Sequence, residues 1–436
     1  MLRMPSVRST WYPGYVLLLL AMANVLNAVD RNLVGLLAEL IKQDLKISDT
    51  SLGLLSGFAF AVFFVLFGIP IARWADRGNR RTILALGIGL WSVMTALFGL
   101  GTGFAMLLLA RIGVGIGEAA AVPTAMSLIA DYFRRERRTR AVSIFQSAVF
   151  LGLTTTAIAG FVAQQSGWRA AFVGAGAVGL ALALVVRFTL TEPVRGGFDP
   201  ASDRNQAQPP LRESIRVLLG QPLYLLILAA MASSAMSSTS LSAWGAAFLI
   251  RIHGLNVSEV AAVVGPASGI GGFLGSLAGG FLTVYVVNRT GDRRWTMLIP
   301  AIALFLAVPT VLVFLFTHSA PLAVGAFGFQ AFLWAIKTGP CFAVALDLVP
   351  SHLRAFAVSV LIVMSGVVGN GLGPLLVGFL SDALGASFAG QSIRYALILA
   401  PAFLLVAAVA LLIAARSLAT SAPRAGLNSA EGRTTV

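Results

Sequence analysis

A chain of 436 residues with 58% hydrophobic and only 11% charged side chains, and a mean hydropathy of +0.88, has no polar coat to cover a soluble domain of this size. A net charge of +14 would suit nucleic acid, but the Lys and Arg residues are dispersed over seven membrane-flanking segments rather than gathered along one groove, which excludes that partner. The single cysteine, Cys341, rules out an intramolecular disulfide.

A hydrocarbon core about 30 Å thick takes about 20 apolar residues per helical crossing. Twelve such runs follow in chain order, centred near Ala23, Val62, Trp91, Gly117, Leu153, Gly179, Ser234, Phe273, Leu306, Trp334, Val368 and Leu404, and we number them spans 1 to 12. The first is too long for the apolar core of a signal peptide and carries Asp30 and Arg31, so it is expected to remain as a span. A hydrophilic stretch at 191–220, rich in Pro, Gly, Gln and Asp, reads as a linker between a first half at 1–190 and a second at 221–416, with a polar tail at 417–436. All but eight of the 31 Lys and Arg fall on the side that carries the termini and the linker. Five of the eight (Lys42, Lys46, Arg169, Arg251, Arg394) lie at the opposite surface and three (Arg31, Arg111, Lys337) within spans. By the positive-inside rule both termini are expected in the cytoplasm.

The chain also repeats itself. Arg73-Trp-Ala-Asp76-Arg77 returns 216 residues later as Arg289-Thr-Gly-Asp292-Arg293, and Asp131, Arg138, Ala141 and Ser143 return at the same offset as Asp347, Arg354, Ala357 and Ser359. Two related halves, each a bundle of membrane helices, are the expectation for a secondary transporter. The fold class is therefore all-α and polytopic, with twelve transmembrane helices in two pseudo-symmetric six-helix halves.

Five ionisable residues lie inside spans: Asp30 and Arg31 in span 1, Arg111 and Glu118 in span 4, and Lys337 in span 10. A charge at the bilayer centre costs roughly 2.5 to 3.5 kcal/mol, so these groups must pair or face a wet cavity. Arg111 and Glu118 are two helical turns apart and share a face. Two carboxylates, Asp30 and Glu118, can thus be assembled with two guanidinium groups between spans 1 and 4. Burial favours the protonated carboxyl and a neighbouring Arg the carboxylate, so an Arg that moves can switch a proton on and off. Glu118, the deeper acid, is the preferred proton carrier; the competing reading is a static ion-pair network. Lys337 reads equally well as a cavity cation for an anionic substrate group or as a cation satisfied by backbone carbonyls. In span 7, Ser237, Ser240 and Trp244 belong to a hydroxyl-rich run suited to a headgroup or to ordinary helix packing.

The charged clusters at the span ends read as a cytoplasmic latch: Arg73, Asp76, Arg77, Arg80 and Arg81 after span 2, Asp131 and Arg138 around the end of span 4, and Asp292, Arg293, Asp347 and Arg354 as their echoes. The glycine runs Gly113-Val-Gly-Ile-Gly117 and Gly271 to Gly279 follow no strand and precede no Walker lysine, so they read as close helix packing. His253, His318 and His352 form no metal-ligand spacing, and no catalytic triad, metal or cofactor is expected.

The segment Ala72-Arg-Trp-Ala-Asp76-Arg77-Gly-Asn79-Arg80-Arg81 resembles the loop signature of the major facilitator superfamily, with Ala72 and Asn79 in place of that family's usual glycines. Asn24-Val-Leu-Asn-Ala-Val-Asp30-Arg31, Asp76-Arg-Gly-Asn79-Arg80-Arg81 and Arg111-Ile-Gly-Val-Gly-Ile-Gly117-Glu118-Ala119 are similar to its Spinster-like branch. That resemblance implies a proton-linked carrier of lipid-like amphiphiles, such as lysophospholipids or sphingoid phosphates, with Asp30, Arg31, Arg111 and Glu118 in the coupling site and a cavity walled by spans 1, 4, 7 and 10. A carrier of small organic anions is the alternative, and a non-transporting sensor the remote one. The expected partners are membrane lipids, protons and one amphiphilic or anionic substrate. The chain is expected to work as a monomer in a bacterial inner membrane.

Overall fold

The computed structural model describes residues 11–194, 211–350, 353–388 and 390–420. Within those residues the chain forms helices and connecting turns with no strand, as it must where no water can satisfy peptide groups. Span 1 is Tyr12–Leu36, span 2 Asp49–Ala75, span 3 Arg80–Gly99 and span 4 Phe104–Tyr132. Arg140–Thr189 holds spans 5 and 6 in one run, parted at Gly167, whose φ of 84° only glycine adopts readily. Spans 7 to 12 are Pro222–His253, Val257–Thr290, Trp295–Phe316, Ala320–Asp347, Phe356–Leu384 and Ser392–Leu418. Twelve crossings result, as the hydropathy pattern predicts. Most of the linker (195–210) and nearly all of the tail lie outside the described residues.

Membrane helices gain little from burying apolar groups against one another, so close backbone packing carries much of the association. Span 8 shows this clearly. A Cβ added at Gly271, Gly275 or Gly279 would fall 2.3, 2.0 and 2.1 Å from the carbonyl oxygens of Gly328, Phe332 and Ile336 in span 10. The glycine run therefore lays span 8 directly on the backbone of span 10.

Besides the contact of spans 1 and 7 at Gly35 and Ala243, the halves meet along two seams. In one, Gly160 and Gly265 bring spans 5 and 8 together, against Ala261 and the Leu153 carbonyl respectively. In the other, spans 2 and 11 cross where each widens into a π-helical stretch, Leu54–Phe58 and Ser365–Leu372. Gly57 lies there, and a Cβ on it would sit 2.1 Å from the Asn370 carbonyl oxygen. A π-helical turn leaves peptide groups less tightly committed than an α-turn and is often found at functional positions.

Candidate functional site

Spans 4 and 10 are both broken at mid-depth, and for the same local reason. Span 4 runs as Phe104–Glu118 and resumes at Ala121–Tyr132; span 10 runs as Ala320–Ala335 and resumes at Thr338–Asp347. Pro123 and Pro340 lack the N–H that would bond the carbonyls of Ala119 and Ile336, so each helix yields one turn earlier. These prolines stand within one residue of the 216-residue echo, which makes the breaks counterparts. Glu118 is the last residue before one break, and Lys337 caps the segment after the other. Discontinuous helices in matching positions of two repeats are where carriers place their binding sites.

Four of the predicted charges converge between spans 1 and 4. Arg31 Nε donates to Glu118 Oε2 at 2.8 Å. Arg111 Nε donates to the Leu55 carbonyl oxygen at 3.0 Å, and its Nη1 to the backbone carbonyl of Asp30 at 3.4 Å. Asp30, Arg111 and Glu118 are buried, with Glu118 at 0% exposure, whereas the Arg31 side chain is 32% exposed. The pairing is thus crossed: Arg31 turns away from its neighbour Asp30 and reaches the acid of the other helix. Asp30 Oδ1, Glu118 Oε1, Asn27 Nδ2 and Arg111 Nη2 have no hydrogen-bond partner among the described residues. Asn27 nevertheless faces Glu118 and Thr95 faces Asp30, so the polar groups of this cluster lie against one another as buried polar groups normally do.

Span 2 adds two aromatics that the sequence reading did not anticipate. Phe60 and Phe64 each lie 5.0 Å from the Arg31 guanidinium, and Phe60 also lies 5.3 Å from that of Arg111. Cation–π attraction is worth about 0.5 to 2 kcal/mol, enough to hold a guanidinium in place yet let it leave. The clue in sequence is weak, because a phenylalanine in an apolar span looks like any other.

The second half presents a different set. Lys337 is 1% exposed and its Nζ lies 3.6 Å from the centre of the Trp334 ring. No carboxylate lies within salt-bridge distance of it among the described residues. Ser237, Ser240 and Trp244 are buried. Trp244 donates its indole N–H to the Pro374 carbonyl at 2.9 Å, and so packs span 7 on span 11 instead of offering an open stacking surface.

On the face that carries the termini, the cluster residues pair within each half. Arg80 is 2% exposed and bonds Glu192 at 2.7 Å, the Ser127 hydroxyl at 2.9 Å, and Asp131. The Arg81 N–H donates to Glu192 at 2.9 Å, and Arg138 donates to the Ala130 carbonyl at 2.7 Å. In the second half Arg293 meets Asp347 at 3.0 Å, and Asp292 accepts from Arg294 at 2.8 Å. Asp292 is held below the usual carboxylate range first by the Arg294 backbone N–H and then by its side chain. Arg73 and Arg77 are exposed, while the side chains of Asp76 and Arg354 lie outside the described residues.

Apart from the bond of 2.6 Å that the Ser242 hydroxyl of span 7 donates to Asn32 of span 1, the described side-chain bonds that join the two halves lie on the far face, and sequence reasoning missed them. Asp49, at the head of span 2, accepts two hydrogen bonds of 2.8 Å from Arg251 at the end of span 7, one of 2.6 Å from Lys42 and one of 2.7 Å from Ser381 of span 11. Arg251 also donates to Glu39. Asp382 returns the bond, accepting from the N–H groups of Asp49 (3.0 Å) and Thr50 (2.7 Å) and from the Thr50 hydroxyl (2.6 Å). The available signal was Ser48-Asp49, a helix-capping pair placed beside an isolated far-face arginine.

Two related six-helix halves, breaks at mid-depth, buried charges beside those breaks and a seam bonded at one face are the marks of a secondary membrane transporter. The chain belongs to the Major Facilitator Superfamily, whose family model matches residues 20–285, and within it to the Spinster-like branch. It is 34% identical, over 87% of both chains, to an MFS-type efflux pump of Mycolicibacterium smegmatis. It is 28% identical to the sphingosine-1-phosphate transporter SPNS2 of Danio rerio, over 88% of this chain and 80% of that one. Among solved structures it matches a bacterial homolog of the human lysosomal transporter Spinster, in an inward-facing and unoccupied conformation, with a TM-score of 0.82 and 29% identity over 94% of this chain and 98% of that chain.

Proposed function

We propose that this transporter couples proton movement to the carriage of an anionic, lipid-like amphiphile of the lysophospholipid or sphingoid-phosphate type, by alternating access across a bacterial inner membrane with both termini in the cytoplasm. One observation carries the proposal: Arg31, the only partly exposed member of the charge cluster, holds Glu118, the most buried one. A substrate phosphate or carboxylate reaching Arg31 competes with Glu118 for the same guanidinium. When Arg31 leaves, Glu118 is a buried carboxylate without its cation, and it takes a proton. When the anion departs and Arg31 returns, the proton is released. Asp30 and Arg111 keep the remaining charge of the cluster balanced, since Arg111 stays anchored on backbone carbonyls throughout.

Lys337 supplies the second hold on the anion. With five ionised groups the site sums to +1, and a lysine whose described partner is an aromatic face is ready to exchange that face for a phosphate. The far-face network around Asp49 and Arg251 acts as the outer gate, and the clusters around Arg80 and Arg293 as supports of the inner one.

Proteoliposomes presented with lysolipids, sphingoid phosphates or small carboxylates test this reading. Lysolipids or sphingoid phosphates are expected to elicit proton flux in the native protein, and Glu118→Gln to abolish the flux while substrate still binds. Flux with carboxylates alone would overturn the substrate class. Flux unchanged in Glu118→Gln would overturn the coupling role and return the search to Asp30.

A further inference from the structure

Between the start of span 1 and the start of span 5, on the face that carries the termini, lies a groove of about 450 Å³ lined by Leu17, Phe133, Arg137, Arg140, Ala141 and Ile144. It stands outside the charge cluster and outside the seam between halves. Span 5 shows which way it opens. Its Gly160 and Leu153 face span 8, and its Gly152 faces span 1 at the Val25 carbonyl. The opposite side presents Ile144, Leu151 and Ile158, which are 46%, 58% and 66% exposed at seven-residue spacing, a single helix face turned to the membrane. Arg140 stands one turn before Ile144 at the head of that stripe, and Arg137 just before it.

Both guanidinium groups are exposed, and neither has a carboxylate within salt-bridge distance among the described residues. The depth also suits a lipid. Trp11, 59% exposed at the head of span 1, is the kind of aromatic that marks a bilayer interface, and Leu17 follows six residues later, about 9 Å deeper along the helix. The groove thus has two cations without a carboxylate partner among the described residues at headgroup level and an apolar floor at acyl-chain level. Basic pockets between membrane helices on a cytoplasmic side recognise anionic headgroups by this chemistry.

We infer that this groove is a binding site for an anionic phospholipid of the surrounding bilayer, with the phosphate held between Arg137 and Arg140 and an acyl chain laid over Leu17, Ala141 and Ile144. Such a lipid would brace the start of span 5 against span 1 and is not the carried substrate, so the inference does not depend on the transport reading above.

Thermal unfolding of the full-length protein in neutral detergent, with phosphatidylglycerol, phosphatidylcholine or glycerol 3-phosphate added, tests it. Phosphatidylglycerol is expected to raise the native midpoint above that in phosphatidylcholine, and glycerol 3-phosphate to leave it unmoved. The increment should vanish in Arg137→Gln/Arg140→Gln. It should vanish too in Ile144→Trp, which fills the groove from an exposed position and keeps both arginines, so misfolding of one variant does not decide the matter. It should persist in Arg289→Gln/Arg293→Gln, which removes two cations elsewhere on the same face. An increment that survives in both groove variants, that is lost equally in the control pair, or that glycerol 3-phosphate reproduces would overturn the site.

Discussion

The two faces of this carrier use similar side chains for opposite purposes. On the far face Asp49, Arg251, Ser381 and Asp382 bond across the halves, so the face cannot open without breaking every one of those bonds. On the terminal face Arg80, Asp131 and Glu192 bond within the first half, and Arg293 and Asp347 within the second, so these pairs can survive while the halves part. Burial separates them further. The Asp49 side chain is 3% exposed and Arg80 2%, whereas Arg293 and Asp347 are 70% and 60% exposed. In the proposed mechanism the far-face bonds accordingly act as a gate and the described terminal-face pairs as supports.

Breaking the far-face network is expected to have the largest effect. Asp49→Ala leaves Arg251 without its bidentate partner, and removing one member of a buried pair costs about 3 to 5 kcal/mol. The cost falls on the closed far face, so spin labels at exposed Lys46 and Ser387 should move apart, read as a new long-distance population in pulsed dipolar spectroscopy. Arg80→Ala takes the buried cation away from Asp131 and Glu192, at about 3 kcal/mol because Glu192 keeps the Arg81 N–H and some contact with solvent. Its effect should appear as a lower unfolding midpoint with the far-face distance unchanged, which separates a support from a gate. Gly57→Ala places a methyl against the Asn370 carbonyl at the seam itself, and overpacking of this kind costs about 1 to 3 kcal/mol. It should open the far face as Asp49→Ala does, but less. Arg293→Ala removes an exposed pair worth about 0 to 1 kcal/mol, and neither the midpoint nor the distance should shift measurably.

Much of the architecture was legible because a bilayer imposes a length and an apolar composition on each crossing, and the duplication appears as matching charged clusters. Convergence of Arg31, Arg111, Glu118 and Asp30 was legible too, since four charges in apolar spans have few ways to be tolerated. Their crossed pairing was not, because nothing local to Asp30-Arg31 tells which acid the guanidinium will reach. Nor was the latch: Asp49, Arg251 and Asp382 lie hundreds of residues apart and look, in sequence, like ordinary residues at the ends of spans. The breaks in spans 4 and 10 were not read from the sequence, although Pro123 and Pro340, whose missing N–H groups fall at counterpart positions, carry the signal. At Trp244 the sequence left a headgroup surface and ordinary helix packing open, because its polar neighbours do not tell where the indole N–H goes; that group bonds span 11.

The proposed exchange of Arg31 between substrate and Glu118 requires protonation of Glu118 to accompany opening of the far face, and this is tested most directly by the Lys46 to Ser387 distance measured across pH in native protein and in Glu118→Gln. The native distribution should shift from its short population toward the long one that Asp49→Ala exposes as pH falls, and the glutamine variant, unable to titrate at that position, should hold one distribution at every pH. A native distribution that ignores pH, or a variant that shifts as the native protein does, would contradict it.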